Sequence, residues 1–139
     1  MDLHLENMHQ VILIDDDPTH HYLAEALIKH HKVLEDYRSY IDPKAALIDL
    51  VDAYYTTGQL PDIILLDLNM PGVSGWEFLE MFENLRALIN KDIKVFIVTS
   101  SIDPNDKAKS QFYSAVKGFY SKPLSSEILK AVASSSSEK

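Results

Sequence analysis

The segment that most constrains the fold of this chain is a run of apolar residues, Ile63–Leu66, that lies between proline-containing turns. Pro61 precedes the run, and Pro71–Gly72 follows it closely. A short apolar run bounded by turn residues is typical of a strand buried on both faces, as at the centre of a parallel sheet. The next residue, Asp67, would lie at the carboxyl end of this strand, where open α/β sheets bind their ligands. Because a buried carboxylate without a partner costs free energy, Asp67 is a candidate functional residue.

Four other segments have the length and composition of strands. They are the mainly apolar Val11–Ile14, Lys94–Thr99 and Val116–Ser121, and the more polar Glu35–Tyr40. A helical pattern follows each strand, so strand and helix alternate five times. This alternation predicts an α/β fold, a doubly wound, five-stranded parallel sheet with right-handed crossovers and helices on both faces. The charged residues of the second strand favour a sheet edge, which agrees with the strand order 2-1-3-4-5 of one doubly wound fold.

Capping residues mark the starts of the helices. The signals are Asp17-Pro18, Asp42-Pro43, Asp103-Pro104, and Ser74 with Glu77. An aspartate N-cap before a proline suits the first turn of a helix, and a serine with a glutamate three residues later forms a capping box. The last helix is predicted to run from about Ser125 to Ala133. The residues predicted to face inward from the first four helices are Leu23, Ala26, Leu27 and His30; Leu47, Leu50, Val51 and Tyr54; Phe78, Phe82, Leu85 and Ile89; and Ala108, Phe112 and Ala115.

Composition limits the class of protein. A chain of 139 residues is long enough for one domain with a full hydrophobic core. The formal net charge is −8 and no basic run occurs, so nucleic acid and anionic membranes are poor candidate partners. The chain lacks cysteine, a signal-peptide pattern and an apolar segment of membrane-spanning length, which favours a cytoplasmic protein. We predict an N-terminal extension over residues 1–9, one domain over residues 10–133 and a disordered polar tail over residues 134–139.

Polar residues stand at the carboxyl ends of four predicted strands. They are Asp15 and Asp16, Asp67, Thr99 and Lys122. Because the carboxyl ends of parallel strands share one edge of the sheet, we expect these residues to meet in one cleft. Three close carboxylates repel one another, and Mg²⁺, which suits a few carboxylates and several waters, would relieve that repulsion. An acidic nucleophile, a metal ion, a lysine and a hydroxyl are together the groups needed to receive a phosphoryl group.

The residues around these positions form four segments with a recognisable pattern. In chain order they read IDDDP, LLDLNMPGVSGWEFL, FIVTSS and GFYSKPL. In order and spacing they resemble the signature segments of response regulator receiver domains, the CheY-like family of two-component signalling. The similarity spans about Gln10 to Ala133 and implies the flavodoxin-like (βα)5 fold of that family. It also implies a signalling switch that phosphorylation controls.

The resemblance implies a role for each acidic residue of the cleft. Asp67 corresponds to the aspartate that accepts the phosphoryl group. Asp16 would bind Mg²⁺ directly and Asp15 through water, and Asp67 and the backbone carbonyl of Asn69 would complete the protein ligands. Lys122 corresponds to the lysine that holds a phosphoryl oxygen.

The resemblance also implies how the signal would arrive and spread. The phosphoryl donor would be a phosphohistidine of a sensor histidine kinase or of a histidine phosphotransfer protein. The chain would catalyse its own modification without turning over an external metabolite. Thr99 corresponds to the switch hydroxyl and Phe119 to the switch aromatic residue of the family. The Lys122–Pro123 peptide bond corresponds to one that is usually cis.

The sequence shows no DNA-binding or enzymatic output domain, so we expect a stand-alone receiver. Its signal would then pass to a protein target or to a second copy of the chain in a homodimer. The expected surface consists of the fourth helix, the fifth strand and the fifth helix. The exposed candidates on that surface are Lys107, Gln111, Tyr113 and Tyr120.

Two other functions fit parts of this pattern. A small Mg²⁺-dependent phosphatase with an aspartate nucleophile would need a second acid two residues after Asp67, where Asn69 stands. A flavodoxin-like nucleotide binder would need a phosphate-binding loop after the first strand, where DDDP repels phosphate. The adjacent histidine pairs His20-His21 and His30-His31 would point in different directions on a helix, so we interpret them as solvated residues rather than as metal ligands.

Overall fold

Five parallel strands form a sheet in this computed structural model, which describes residues 10–31, 36–70, 72, 74–101 and 103–137. The strands are β1 (Val11–Ile14), β2 (Tyr37–Tyr40), β3 (Ile63–Leu66), β4 (Lys94–Thr99) and β5 (Val116–Ser121). Their order is β2-β1-β3-β4-β5, which confirms the predicted order and the position of β2 at an edge. Glu35, predicted to begin the second strand, lies outside the described residues.

Five helices connect and follow the strands. They are α1 (Pro18–His31), α2 (Pro43–Tyr55), α3 (Gly75–Arg86), α4 (Pro104–Ser110) and α5 (Ser126–Ser137). The aspartate caps Asp17, Asp42 and Asp103 each accept a hydrogen bond of 3.0 Å from the backbone N–H two residues later. Ser74 and Glu77 form the predicted capping box at the start of α3. Among the helices of the described residues, none is both long enough and apolar enough to cross a membrane.

The sheet separates two hydrophobic clusters. Alternate residues of a strand face opposite sides of a sheet. Ile64 and Leu66 therefore pack with residues of α2 and α3, while Ile63 and Leu65 pack with residues of α1 and α5. All four side chains are fully buried. The apolar run is thus a central strand covered on both faces, as predicted.

The buried face of α1 differs from the predicted face. The buried residues are His20, Ala24 and Ile28, at intervals of four residues. Leu23 and Leu27 are half-buried, whereas Ala26 and His30 are exposed. The prediction was wrong for Ala26 and His30, because the helix is rotated so that the stripe of His20, Ala24 and Ile28 faces inward instead. This face includes a buried histidine, His20, whose ring nitrogens have polar partners.

The buried face of α4 also differs from the prediction. The helix has only seven residues and ends at Ser110, which is its buried residue. Ala108 is exposed, and Phe112, which follows the helix, is 85% exposed, so the inward positions predicted for both residues were wrong. Ala115 is buried as predicted, but its carbonyl accepts a hydrogen bond from Val95 N–H in the approach to β5. A helical stripe cannot continue once the chain has left the helix.

The remaining differences concern α2, α3 and α5. Leu50, Phe78, Phe82 and Leu85 are buried as predicted, but Val51 is 40% exposed. Ile89 is half-buried and lies beyond the end of α3. Helix α5 continues to Ser137, four residues past the predicted end at Ala133, so part of the tail predicted to be disordered is helical. Serine costs only a fraction of a kcal/mol relative to alanine in a helix, so a helix anchored by packing can extend through it. Residues 138–139 lie outside the described residues.

Candidate functional site

The carboxyl edge of the sheet brings together residues from four strands. Asp15 follows β1, Asp67 follows β3, Thr99 ends β4, and Lys122 follows β5. Asp15 and Thr99 are 0% exposed and Asp67 is 2% exposed. Neighbouring strand ends align, because Asp67 N–H donates to the Ile14 carbonyl at 2.9 Å and Lys122 N–H donates to the Thr99 carbonyl at 2.9 Å. The parallel topology therefore brings these strand ends to one edge of the sheet.

Lys122 joins the two buried carboxylates of this cleft. Its Nζ lies 2.8 Å from Asp15 Oδ2 and 3.2 Å from Asp67 Oδ2. The lysine side chain is 15% exposed, so solvent screens these ion pairs only partly. One ammonium group thus offsets part of the repulsion between two carboxylates that are nearly out of contact with water.

The contact between Asp15 and Lys122 shifts the pKa values of both groups. Burial alone would raise the pKa of Asp15, but hydrogen bonds from His20, Lys122 and the Asp17 N–H outweigh it and hold that pKa below its usual value. Burial alone would lower the pKa of Lys122, but hydrogen bonds and charge interactions with Asp15 and Asp67 raise it above its usual value. Both shifts favour the charged forms.

The three carboxylates of the cleft are close enough to hold a metal ion. Asp15, Asp16 and Asp67 each offer an oxygen, and these oxygens lie within 4.8 Å of one another. Asp16 is half-buried, whereas Asp15 and Asp67 are buried. An all-oxygen set of this kind suits a hard cation. The residues present therefore fit a divalent cation of the magnesium type.

The loop after β3 holds one oxygen of Asp67 and leaves the other facing the lysine. Asp67 Oδ1 accepts hydrogen bonds from Leu68 N–H at 2.8 Å and from Asn69 N–H at 3.4 Å. Asp67 Oδ2 accepts from Lys122 Nζ. The Asn69 side chain is exposed. The carboxylate is therefore oriented by the backbone on one side and by a cation on the other.

Gly75 allows α3 to begin directly against this loop. A Cβ at Gly75 would overlap the Asp67 carbonyl oxygen and lie 2.8 Å from Leu68 Cα, which is closer than Cβ atoms approach other atoms. Gly75 N–H donates to the Leu68 carbonyl at 3.1 Å. The sequence analysis missed this role of Gly75, because hydrophobic periodicity does not report how closely two backbone segments approach. The glycine at the first position of a helix with a capping box was the signal that could have indicated it.

The two predicted switch residues are in β4 and β5. Thr99 is fully buried, and its Oγ1 accepts a hydrogen bond from Ser101 N–H at 3.3 Å. Phe119 is half-buried and packs against the cluster on the α2 and α3 side of the sheet. Its outer part lines an open depression with Pro104 and Lys107. Phe119 thus connects the core to the surface of α4.

The four residues predicted to be exposed near α4 and β5 divide into two pairs. Lys107 and Gln111 are exposed, as predicted. Tyr113 is half-buried, donates a hydrogen bond to Glu80 at 2.8 Å and stacks on Trp76. Tyr120 is half-buried and packs on the α1 and α5 side of the sheet. The prediction of exposure was therefore wrong for the two tyrosines, because both find partners on other elements.

His20 is a residue of the site that the sequence analysis missed. Its ring is 4% exposed, and its Nδ1 lies 2.7 Å from Asp15 Oδ2. His21, which is half-buried, contacts the Asp15 carbonyl through Nε2. The interpretation of both histidines as solvated was therefore wrong, whereas the exposure of His30 agrees with that interpretation and contradicts the inward position predicted from the helical stripe. The spacing of His20, Ala24 and Ile28 was the signal that could have found it.

Comparison with known proteins identifies the family. The family model described as the response regulator receiver domain matches residues 11–134. The chain belongs to the response regulator receiver family. Receiver domains are phosphorylation-activated switches of two-component signalling rather than metabolic enzymes. The fold, the strand order and the resemblance stated from the four segments are thereby confirmed.

Solved structures of response regulators resemble this receiver domain along most of its length. A two-component response regulator from Cytophaga hutchinsonii is 32% identical, with 94% of this chain and 97% of that chain covered and a TM-score of 0.86. The bacteriophytochrome response regulator RtBRR is 26% identical, with 91% and 76% covered and a TM-score of 0.75. The Vibrio cholerae chemotaxis protein CheY4, at 20% identity, 92% and 98% coverage and a TM-score of 0.72, shares the fold. Among curated protein sequences, no relative is found.

Proposed function

We propose that Asp67 of this receiver domain accepts a phosphoryl group from a phosphohistidine of a histidine kinase or of a histidine phosphotransfer protein. The observation that carries the proposal is the contact between Asp67 Oδ2 and Lys122 Nζ, 3.2 Å apart, in a buried cleft. In this step an Asp67 carboxylate oxygen attacks phosphorus, the P–N bond to imidazole breaks, and an acyl phosphate forms. We assign the attack to Oδ2 because this oxygen faces Lys122, whose charge can stabilise the incoming phosphoryl oxygens, whereas two backbone N–H groups hold Oδ1.

Lys122 supplies positive charge where negative charge accumulates. The carboxylate carries one negative charge, and the acyl phosphate that replaces it carries about two near neutral pH. A lysine whose pKa is raised stays protonated through this change. Lys122 would follow the new phosphoryl oxygens while remaining anchored at the end of β5, and this charge-assisted contact is stronger than a neutral hydrogen bond.

The acidic residues Asp15, Asp16 and Asp67 would hold a Mg²⁺ ion, with the backbone carbonyl of Asn69 as a further ligand. When bound, the ion supplies charge that shields the carboxylates from the phosphoryl oxygens. We assign Asp16 to direct contact and Asp15 to contact through water. Both oxygens of Asp15 already accept protein hydrogen bonds, from Asp17 N–H on Oδ1 and from His20 and Lys122 on Oδ2, which supports the more distant role for this residue.

Phosphorylation would change a surface through Thr99 and Phe119. The Thr99 hydroxyl would turn to the phosphoryl group, and Phe119 would repack into the space beside β4. This movement would alter α4 and the depression lined by Pro104, Lys107 and Phe119. The exposed ring of Phe112 stands at the end of the same helix. We propose that a protein target, or a second copy of the chain, binds this α4–β5–α5 face in the cytoplasm, where histidine kinases transfer their phosphoryl groups.

A small phosphatase with an aspartate nucleophile is the alternative function. Such an enzyme needs a general acid for its leaving group. The residue two positions after Asp67 is Asn69, which cannot donate a proton as a carboxylic acid does. The chain therefore lacks that general acid at this position, and the receiver function is favoured.

Labelling of Asp67 tests the proposal. The wild-type chain, Asp67→Asn and the exposed control Asp103→Asn are incubated with labelled acetyl phosphate, with Mg²⁺ or with EDTA. We expect label in the wild type and in Asp103→Asn only with Mg²⁺, and none in Asp67→Asn. The label should be released by hydroxylamine, which cleaves acyl phosphates. Equal label in Asp67→Asn would overturn the assignment, and steady hydrolysis of a phosphate monoester would favour the phosphatase.

A further inference from the structure

We infer that His20 is a positioning residue of the phosphorylation site, held as a single neutral tautomer that donates its Nδ1–H to Asp15. The inference rests on the proposed function, because it assigns His20 a task in the metal and phosphoryl site. His20 lies in the first turn of α1, five residues after Asp15. It is neither an acid nor a lysine, and the phosphoryl chemistry above does not use it directly.

The hydrogen bonds on the two ring nitrogens define the tautomer. The Leu124 backbone N–H lies 3.1 Å from His20 Nε2. A backbone N–H can only donate, so Nε2 must be unprotonated and accept. The proton of the neutral imidazole is then on Nδ1, 2.7 Å from Asp15 Oδ2. Since His20 is 4% exposed and Asp15 is 0% exposed, water has little access to either bond.

These bonds close a ring of contacts around the end of the sheet. Asp15 is bound to His20, His20 to the Leu124 backbone, and Lys122, two residues before Leu124, returns to Asp15 at 2.8 Å. One histidine therefore connects the end of β1 to the segment that carries the lysine. The ring holds the Asp15 carboxylate and the backbone near Lys122 in one relative position.

His20 becomes more important when Lys122 moves toward a phosphoryl group. His20 and Lys122 are the two donors that the described residues supply to Asp15 Oδ2. If Lys122 leaves this oxygen, the remaining bond from Nδ1 keeps the carboxylate from turning, while Asp17 N–H holds Oδ1 at 2.8 Å. Hydrogen bonds to direct metal ligands typically change metal affinity by about 10- to 100-fold, and Asp15, which we assign to contact through water, should show the lower end of this range.

Two substitutions separate the two bonds of the ring. His20→Asn places an amide N–H near the position of Nδ1 and leaves the Leu124 N–H without its acceptor. His20→Gln places an oxygen near the position of Nε2 but brings no donor to Asp15. His20→Leu removes both bonds at similar volume. His30→Gln, on the exposed side of α1, is the matched control.

Calorimetric titration with Mg²⁺ alone, with each fold checked by NMR, is the first measurement. We expect the dissociation constant to rise by about 10-fold in His20→Gln and His20→Leu. It should stay close to the wild-type value in His20→Asn and in His30→Gln. Equally weakened Mg²⁺ binding in all three His20 variants would show that His20 serves only in packing. Unchanged Mg²⁺ binding in all three would show that His20 does not position Asp15 for the ion. If His20→Leu does not fold, the Asn and Gln variants decide.

The second measurement needs neither metal nor phosphate. Nitrogen-15 NMR of histidine side chains in EDTA should show Nδ1 protonated and Nε2 unprotonated for His20, with the Nδ1–H signal shifted by Asp15→Asn. A proton on Nε2 would overturn the inference. If the wild type neither binds Mg²⁺ nor accepts label, the proposed function fails, and this spectrum then decides alone whether His20 holds Asp15.

Discussion

Lys122 Nζ lies 3.2 Å from Asp67 Oδ2, although 55 residues separate the two in the sequence. The same ammonium group lies 2.8 Å from Asp15 Oδ2. Removing one partner of a buried ion pair leaves the remaining charge buried without compensation. The stability lost in this way is larger than the net contribution of the pair itself. The lysine is thus as much a part of the stability of the site as of its chemistry.

We therefore expect Lys122→Met to lower the free energy of unfolding in EDTA by an amount on the order of 3 kcal/mol. Mg²⁺ should restore part of this loss, because a cation can replace the lost charge. Urea unfolding with and without Mg²⁺ measures both effects. Lys29→Met, which removes an exposed ion pair with Glu25, should change stability by less than about 0.5 kcal/mol. A loss no larger than that of the control would contradict the importance of the buried contact.

The pKa of Asp15 predicts a dependence of stability on acidity. Because that pKa lies below its usual value of 3.8 in the folded protein, the ionised carboxylate stabilises the fold at higher pH. The contribution should be fully present above the usual value and be lost as pH falls through the lowered one. In Asp15→Asn, the free energy of unfolding should no longer contain this pH-dependent contribution. Urea unfolding recorded at a series of pH values from 7 to below 3.8 measures it. Parallel pH dependences of wild type and variant would argue against the shift.

Gly75→Ala should damage the site through the backbone. The added Cβ would press on the Asp67 carbonyl oxygen and on Leu68 Cα, so α3 or the loop after β3 must move. Overpacking of this kind costs about 1–3 kcal/mol. We expect labelling by acetyl phosphate to slow in Gly75→Ala.

Gly58→Ala provides the control for that prediction. Gly58 has a φ of 73° and open space around it, so alanine there strains the backbone away from the site. A cost of about 1–2 kcal/mol is expected, with normal labelling. If both variants labelled at the wild-type rate, Gly75 would matter for stability alone.

Thr99→Ala should separate phosphorylation from the response to it. The buried Thr99 hydroxyl is the group that we assign to sense the phosphoryl oxygens. The variant should therefore still be labelled at Asp67 but should show little structural change at α4. Trp76, the one tryptophan of the sequence, stacks on Tyr113 with ring centres 5.9 Å apart and has Lys109 Nζ 4.5 Å from its ring. Its fluorescence therefore reports on the contact between α3 and the end of α4.

Beryllofluoride, which stands in for the phosphoryl group, should change this fluorescence in the wild type and in the exposed control Ser100→Ala. We expect little change in Thr99→Ala and a partial return in Thr99→Ser. A full change in Thr99→Ala would mean that the hydroxyl is not the switch.

The main residues of the site could be predicted from the sequence because strand and helix alternate regularly in this fold. Strand ends can be read from apolar runs such as Ile63–Leu66, and a parallel sheet brings all its carboxyl ends to one edge. The positions of Asp15, Asp67, Thr99 and Lys122 followed without knowledge of any contact. The helices were less regular, since α4 ends after seven residues and α5 extends past Ala133.

Local sequence therefore determined the strands, the polar character of the edge strand β2 and the acidic residues at the strand ends, because periodicity and turn residues act over a few neighbouring positions. Only the tertiary structure decided which face of α1 is buried and that His20 belongs to the site. The acceptor role of its Nε2 depends on Leu124, 104 residues further along the chain. A polar side chain can be buried when distant partners satisfy its hydrogen bonds, and the identity of such partners is a property of the folded chain rather than of any local pattern.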